Sequence, residues 1–166
     1  FSPDSKTAAS LDADGKEIKL WDIKTGREIK SFQENEHFGK DFNYIYSMIF
    51  SPDGKYLVSM GNGGRIVAWE VSSGARIVQI DRGELFSGNI DNFLRFSSDG
   101  KVIISGMERI IFVDLFAKKA KIIPIKSPLI DVSQDEKYVL CKPGGGTLFE
   151  LFDLNTGKKV WYLQRP

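Results

Sequence analysis

The chain is poor in the two residue types from which metal sites and nucleophilic active sites are most often built. Its 166 residues include one cysteine, Cys141, and one histidine, His37. One cysteine excludes a disulfide framework, and the two residues together are too few for a Cys/His metal cluster. A Ser- or Cys-based triad would have to be built around the single imidazole, which disfavours nucleophilic catalysis. We therefore predict a protein that is not an enzyme and that has no metal or cofactor site.

The chain also lacks an excess of either charge and any long hydrophobic run. Lys and Arg number 23 against 22 Asp and Glu, a formal net charge of +1. This balance gives no overall attraction to nucleic acid or to an anionic membrane. No apolar run approaches the roughly 18 to 20 residues of a membrane-spanning helix, and no signal sequence opens the chain. We predict a soluble protein without a nucleic-acid or membrane partner, and the single thiol favours the cytoplasm.

What the chain does contain is a repeat, in a sequence that is 42% hydrophobic and 12% aromatic. A four-residue marker begins at Phe1, Phe50, Phe96 and Val132, and reads FSPD, FSPD, FSSD and VSQD. The spacings of 49, 46 and 36 residues are those of a repeat architecture. An acidic residue follows each marker after about 20 residues, at Asp22, Glu70, Asp114 and Asp153. In three of the repeats a Thr-Gly or Ser-Gly turn comes next, whereas the third has Phe116-Ala117-Lys118.

The segments between these markers are predicted to be short strands. In the second repeat, Pro52 and the Asp53-Gly54 pair favour a tight turn. The flanking segments are about six residues long and rich in β-branched and aromatic side chains, which suits strands better than helices. We predict strands near 44–50, 55–60, 65–70 and 75–80 in this repeat. Strands are predicted in the others near 6–11, 17–22, 27–32, 90–96, 101–106, 109–114, 118–124, 127–132, 137–142, 147–153 and 158–163.

These features resemble the WD-repeat (β-transducin-like) family of β-propellers. The best matches are Lys19-Leu20-Trp21-Asp22 with Thr25-Gly26, and Ala68-Trp69-Glu70 with Ser73-Gly74. The resemblance implies an all-β β-propeller segment over residues 1–166. Its four-stranded blades would cover roughly 1–32, 44–80, 90–124 and 127–163, with the first lacking its inner strand. The second half is degenerate, because Val113 and Phe152 stand where the Trp belongs, and a looser propeller family is the alternative there.

In this family a Trp, a Ser or Thr, an Asp and an upstream His form a hydrogen-bonded network inside each blade. The resemblance therefore implies a structural network, without catalytic consequence, that comprises Ser10, Asp14, Trp21, His37, Ser59, Asn62 and Trp69.

The apolar surface left uncovered at the two ends of a four-blade arc bears on whether the chain forms a complete ring. Each open face of such an arc would expose about 500 Å² of apolar surface, worth about 12 kcal/mol at ~25 cal/mol/Å². Together with the start at a hairpin turn, this predicts that the chain is a segment of a larger ring. The alternative is a complete four-bladed ring, closed by a partner strand or by a second copy.

The connections 33–43 and 81–89 are long and contain the aromatic residues Phe38, Phe42 and Phe86. Aromatic residues in exposed loops on a rigid scaffold are typical of a binding surface. The predicted partner contacts are Phe38, Phe42, Tyr44, Tyr46, Asn62, Phe86, Asn89, Asp91 and Arg109. The leading functional prediction is a non-catalytic scaffold that binds a protein or peptide partner. One alternative is a propeller appended to an enzyme, as a substrate-gating lid or a cofactor-binding ring, with the chemistry outside this chain. Another is self-association through the open blade edges.

Overall fold

A computed structural model describes residues 1–33, 45–61, 65–81, 90–106, 109–125, 129–142 and 149–163, and all regular structure within these ranges is β-strand. The strands form four antiparallel meander sheets, which we number as blades 1 to 4. Blade 1 contains β1 (Thr7–Leu11), β2 (Glu17–Asp22) and β3 (Glu28–Gln33). Blade 2 contains β4 (Ile45–Phe50), β5 (Tyr56–Gly61), β6 (Ile66–Glu70) and β7 (Arg76–Ile80). Blade 3 contains β8 (Ile90–Phe96), β9 (Val102–Gly106), β10 (Arg109–Asp114) and β11 (Lys119–Pro124). Blade 4 contains β12 (Leu129–Val132), β13 (Tyr138–Cys141), β14 (Phe149–Asp153) and β15 (Lys159–Leu163).

The sequence prediction of an all-β fold is confirmed. Each predicted strand is present and begins and ends within two residues of its predicted position. The chain divides into two compact units, Phe1–Leu85 with blades 1 and 2 and Phe86–Pro166 with blades 3 and 4.

The repeated Ser-x-Asp markers form four hairpin turns with the same hydrogen bonds. The Ser hydroxyl donates to the Asp Oδ1 at 2.5 to 2.7 Å in every turn. The same hydroxyl accepts the backbone N–H of the first residue of the next strand in three turns, and that of Lys101, one residue before β9, in the third. The residue after the Asp has a positive φ in all four turns, at Ser5, Gly54, Gly100 and Glu136. A short polar side chain that replaces the missing backbone partners therefore gives each blade the same tight reversal.

The first unit has a core in which one face of blade 1 packs on one face of blade 2. Ile18, Leu20 and Phe32 of blade 1 are buried together with Leu57, Val67 and Trp69 of blade 2. The Phe32 and Trp69 rings are stacked, with centroids 5.9 Å apart and an interplanar angle of 17°. Alternate residues of β2 point to this core, as expected for strands with a period of two.

The second unit repeats this packing with a different set of side chains. Its buried core contains Ile103, Ile110, Phe112 and Ile123 of blade 3 with Ile125, Val132, Val139, Cys141 and Leu154. Phe152 of blade 4 packs against this core, on the strand that corresponds to the one carrying Trp69 in blade 2. Blades 1 and 2 are joined by a stack of two aromatic rings, whereas by strand register the two positions of that stack are occupied by Ile123 and Phe152 in the second unit.

Three of the four outermost strands are interrupted by a β-bulge at the same place. The register between the third and the outer strand skips Ile29, Ile77 and Val160, whereas β10 and β11 pair continuously. These skipped side chains are 53%, 45% and 50% exposed. A bulge disrupts the regular row of hydrogen-bonding groups on an edge strand, which hinders pairing with a foreign strand.

Candidate interaction surfaces

Two tryptophan–serine hydrogen bonds lie inside the blades of the first unit. Trp69 Nε1 donates to Ser59 Oγ at 2.9 Å, and Trp21 Nε1 donates to Ser10 Oγ at 2.8 Å. Trp69 is 4% exposed and Ser59 1%, whereas Trp21 and Ser10 are half-buried. Because a buried indole N–H needs an acceptor, each pair satisfies its own polar groups and links two neighbouring strands, β1 with β2 and β5 with β6.

The other residues of the implied network are placed differently or lie outside the described ranges. Asp14 is exposed in the turn between β1 and β2, where Asp12 accepts the backbone N–H groups of Lys16 and Glu17 at 2.7 and 2.9 Å. His37 and Asn62 lie outside the described residues, so their part in the network stays a prediction.

Blades 3 and 4 replace the tryptophan–serine pair with two apolar residues. By strand register, Val113 and Ile104 occupy the two positions in blade 3, and Phe152 and Cys141 occupy them in blade 4. Cys141 is fully buried, and burial raises the pKa of its thiol to about 12, with a smaller contribution from Glu150. This thiol is therefore part of the core, and it has neither the exposure nor the lowered pKa of a reactive cysteine.

The acidic residues that end the third strands are engaged in turns. Asp22 Oδ1 accepts the backbone N–H and the hydroxyl of Thr25, both at 2.7 Å. Asp153 accepts the same two groups of Thr156 at 2.8 and 2.9 Å. These hydrogen bonds lower the pKa of both carboxyl groups, led by the Thr25 hydroxyl for Asp22 and by the Thr156 backbone for Asp153. Such carboxylates are well suited to closing a turn and poorly suited to proton transfer near neutral pH.

Of the predicted partner contacts, the structure describes the side chain of Arg109 alone. Arg109 is the first residue of β10, half-buried and paired with Gly106 and Pro124 on the neighbouring strands. Tyr46 lies in β4 and Asp91 in β8, each beside a register shift, and their side chains are outside the described part of the structure. The remaining contacts, Phe38, Phe42, Tyr44, Asn62, Phe86 and Asn89, also lie outside it.

An ion pair that the sequence analysis did not identify links β6 and β7 at the end of blade 2 where the 62–64 and 82–89 connections begin or end. Arg65 Nε donates to Asp81 Oδ1 at 2.8 Å, and the Gln79 amide donates to Asp81 Oδ2 at 3.0 Å. The Arg65 side chain is only 16% exposed. Burial raises the pKa of Asp81, but the hydrogen bonds from Gln79 and Arg65 outweigh it, and the net pKa is lowered. The pairing of Ile66 with Ile80 places 65 and 81 opposite each other, so the strand register was the signal that could have revealed this pair.

A cleft at the opposite end of the strands separates the Ser-x-Asp turns of blades 1 and 2. Its volume is about 500 Å³, within the range of ligand sites. It is lined by Ser2, Pro3, Asp4, Thr7, Phe50, Pro52, Asp53, Gly54 and Val71. The sequence analysis treated these turns as structural and did not foresee a cleft between them. We call this feature the Ser-x-Asp cleft.

Two further properties bear on the kind of site. Among the described residues no three His, Cys, Asp or Glu side chains are grouped as metal ligands would be. Within the same ranges the structure has no helix that could cross a bilayer.

Comparison with known proteins places residues 27–70, from β3 to β6, in the family described as WD domain, G-beta repeat. The nuclear distribution protein nudF of Aspergillus niger is 35% identical over 81 residues, which are 47% of this chain. The match covers 17% of the length of that relative, so the activity of a whole protein of that kind does not transfer from it.

Solved structures also share this fold. The hydrazine synthase of Kuenenia stuttgartiensis superimposes on 98% of the chain with a TM-score of 0.72 and 15% identity, and the chain covers 47% of it. The dihydro-heme d1 dehydrogenase NirN, solved in complex with DHE, superimposes on 98% with a TM-score of 0.73 and 14% identity, and the chain covers 35% of it. At these identities the likeness concerns the fold alone, and the predicted β-propeller fold is confirmed.

Proposed function

Because this chain belongs to the WD-repeat family, we propose that it is a non-catalytic scaffold that binds a protein or peptide partner through the loops at one end of its blades. The Arg65–Asp81 ion pair carries this proposal. Arg65 follows the 62–64 connection and Asp81 precedes the 82–89 connection. The ion pair therefore fixes the strand ends from which both loops extend. A rigid base lowers the entropy that loops lose on binding, and thus favours affinity.

The proposed contacts are the aromatic and polar residues of these loops and of the strand ends beside them. They are Phe38, Phe42, Tyr44, Tyr46, Asn62, Phe86, Asn89, Asp91 and Arg109. Aromatic residues and arginine contribute most to the affinity of protein interfaces. A supporting argument is that the described acidic residues which end the third strands are engaged in turns at the other end of the blades, and that the thiol of Cys141 is buried, so neither supplies a reactive group to this surface.

Site-specific cross-linking in the full-length protein tests the proposal. A photoreactive phenylalanine analogue at position 38 is expected to cross-link a discrete partner in cells. The same analogue at Phe116, which is 59% exposed in the turn after β10, is the matched control at the other end of the blades. Phe38→Ala is expected to weaken capture of the partner about fivefold or more, without a change in the unfolding midpoint. Equal cross-linking from positions 38 and 116 would contradict the proposal.

We also propose that the four blades are part of a larger ring. The face of blade 2 that carries Trp69 is covered by Phe32 of blade 1, whereas the matching face of blade 1 leaves Trp21 half-buried. A further blade of the same kind would cover Trp21 as blade 1 covers Trp69. The competing arrangement, self-association through the open blade edges, predicts a dimer or higher oligomer of the 166-residue chain in light scattering, and a monomer would count against it.

A further inference from the structure

The outer strand of blade 3 differs from the other three outer strands in the regularity of its backbone. β11 pairs with β10 at six consecutive positions, from Asp114 with Lys119 to Arg109 with Pro124. In blades 1, 2 and 4 the equivalent pairing is broken by a bulge. β11 is the terminal strand of its sheet, and within the described ranges its only strand partner is β10. Blade 3 therefore presents a regular edge where the other blades present an interrupted one.

The free edge of β11 carries main-chain groups that can bind an added strand. Antiparallel strands direct the N–H and C=O groups of every second residue away from the neighbouring strand. On β11 no bulge disrupts this row, and main-chain hydrogen bonds to such a row give an added peptide strand its affinity. Pro124 ends the strand and has no N–H, so the available donors lie within residues 119–123.

The charged side chains of the outer strands show a second difference. On blade 4, Lys159 of the outer strand donates to Glu150 of β14 at 2.8 Å, and blade 1 has a comparable pair between β3 and β2 at 3.3 Å. β11 carries Lys119 and Lys121, which are exposed and lie on one face of the strand. Among the described residues neither lysine forms an ion pair with a carboxylate. The edge of blade 3 therefore offers two cations to a partner.

Two carboxylates that share a small cavity with Lys121 are bonded to other groups. The cavity has a volume of about 190 Å³ and is lined by Lys121 together with Asp99 and Glu136. Asp99 is paired with Lys101, and Glu136 accepts the backbone N–H of Ser98. Neither carboxylate forms an ion pair with Lys121, so its charge remains available to a further strand.

The side chains between the lysines give the other face of β11 an apolar character. Ile122 is 43% exposed, and Ala120 is half-buried. Side chains alternate along paired strands, so an added strand would place every second residue beside the lysines and the residues between them beside Ala120 and Ile122. The complementary segment is therefore one in which acidic and β-branched apolar residues alternate.

We propose that β11 binds an extended segment of a protein partner, with alternating acidic and β-branched apolar residues, and adds it to blade 3 as a fifth strand. The same lysines oppose pairing of β11 with a second copy of itself, because that would bring four lysines close together. β11 contains none of the residues proposed as loop contacts. Failure of either proposal therefore leaves the other standing.

Alanine-selective ¹⁵N labelling of the full chain gives a direct test. Ala120 lies in β11, Ala68 lies in the interior strand β6, and Ala75 directly precedes the bulged outer strand β7. The probe is acetyl-Thr-Val-Glu-Val-Glu-Val-Thr-amide. It is expected to shift the Ala120 signal with a Kd on the order of 1 mM, and to leave the Ala68 and Ala75 signals unchanged.

Two control peptides separate the main-chain contact from the charge contact. The first is the same peptide N-methylated at its three central residues, which keeps the charges and loses main-chain donors. The second has lysine in place of glutamate, which keeps the backbone and reverses the charge. Each is expected to bind at least about threefold more weakly than the acidic peptide.

Variants of the chain test the same two features from the other side. Insertion of one isoleucine between Ala120 and Lys121 copies the bulge at Ile77 and is expected to abolish binding, with circular dichroism as the check of folding. Lys121→Glu is expected to weaken binding of the acidic peptide about threefold or more and to strengthen binding of the lysine peptide. Lys24→Glu, exposed in the turn between β2 and β3, changes the net charge equally and is expected to have no effect.

Several outcomes would overturn the proposal. They are equal binding of the acidic and N-methylated peptides, equal effects of Lys121→Glu and Lys24→Glu, and no Ala120 shift with about 10 mM peptide, ten times the expected Kd. A dimer of the full chain in light scattering that the isoleucine insertion disrupts would assign the edge to a second copy, and would also overturn it.

Discussion

Replacing Trp69 with alanine should destabilise the first unit more than any other single truncation of an aromatic residue in it. The side chain is 4% exposed, stacks on Phe32 and donates to the buried Ser59 hydroxyl. Truncation of a buried aromatic residue costs about 3 to 5 kcal/mol. The Ser59 hydroxyl would also lose its donor, which adds about 1 kcal/mol. A total of about 4 to 6 kcal/mol is comparable to the whole stability of a small domain.

Urea denaturation of the 166-residue chain, followed by circular dichroism, measures this loss. Trp69→Phe keeps the stack with Phe32 and loses the N–H, so it should cost about 1 to 3 kcal/mol. Trp21→Ala is the matched control, because Trp21 makes the same bond to Ser10 but is half-buried. It should cost about 2 kcal/mol, in proportion to the smaller apolar area that it buries.

The predicted difference between Trp21→Ala and Trp69→Ala depends on burial, because both residues make the same hydrogen bond. Equal losses of unfolding free energy from the two variants in the 166-residue chain would therefore refute it. The same pair of variants in a longer chain also tests the larger ring. If a further blade covers Trp21 there, the cost of Trp21→Ala should rise to that of Trp69→Ala.

Three further predictions concern pH, the thiol and a turn glycine. The Ser hydroxyl of each turn lowers the pKa of Asp4, Asp53 and Asp135. Because the folded-state pKa of these carboxyl groups is lower than the unfolded-state pKa near 4, their ionised form stabilises the folded chain. This stabilisation is fully present above the unfolded-state pKa and is lost as the pH falls through the folded-state pKa. The urea midpoint should be flat from about pH 7 to 5 and should fall below about pH 4, less steeply in Ser51→Ala. Cys141, with its pKa of about 12, should resist iodoacetamide in the folded chain near pH 8 and react once urea unfolds it; equal rates in both states would contradict its burial. Gly74→Ala should lower the free energy of unfolding by about 1 to 3 kcal/mol more than Gly26→Ala does. Both glycines have a positive φ, but a Cβ at position 74 would lie 2.9 Å from the Phe32 ring, whereas a Cβ at position 26 would have no atom within 4 Å. Thermal unfolding of the two variants compares them.

The fold could be read from the sequence because its signals are local. The Asp53-Gly54 turn, the alternation of β2 and the recurrence of the marker depend on residues within a few positions of one another. Such patterns define where strands begin and end, and blade boundaries follow from them. The tryptophan–serine pairs could be proposed in the same way, since the family resemblance supplies their spacing.

What the sequence could not reveal depends on relations between strands or between blades. The bulges at Ile29, Ile77 and Val160 are changes of register, which an alternating pattern does not record. The Arg65–Asp81 pair spans 16 positions in the sequence and requires the β6–β7 register to be known. The Ser-x-Asp cleft lies between two turns about 50 residues apart, so neither turn alone reveals it.

The tryptophan–serine bond also restricts how such a blade can change over evolutionary time. Losing Trp69 first would leave the buried Ser59 hydroxyl without its donor, and losing Ser59 first would leave the indole N–H without its acceptor, so either single change is expected to lower the stability of the blade. Blades 3 and 4 carry neither partner, with Ile104 and Val113 or Cys141 and Phe152 at the two positions. We therefore predict that the two positions co-vary among homologous blades rather than change independently.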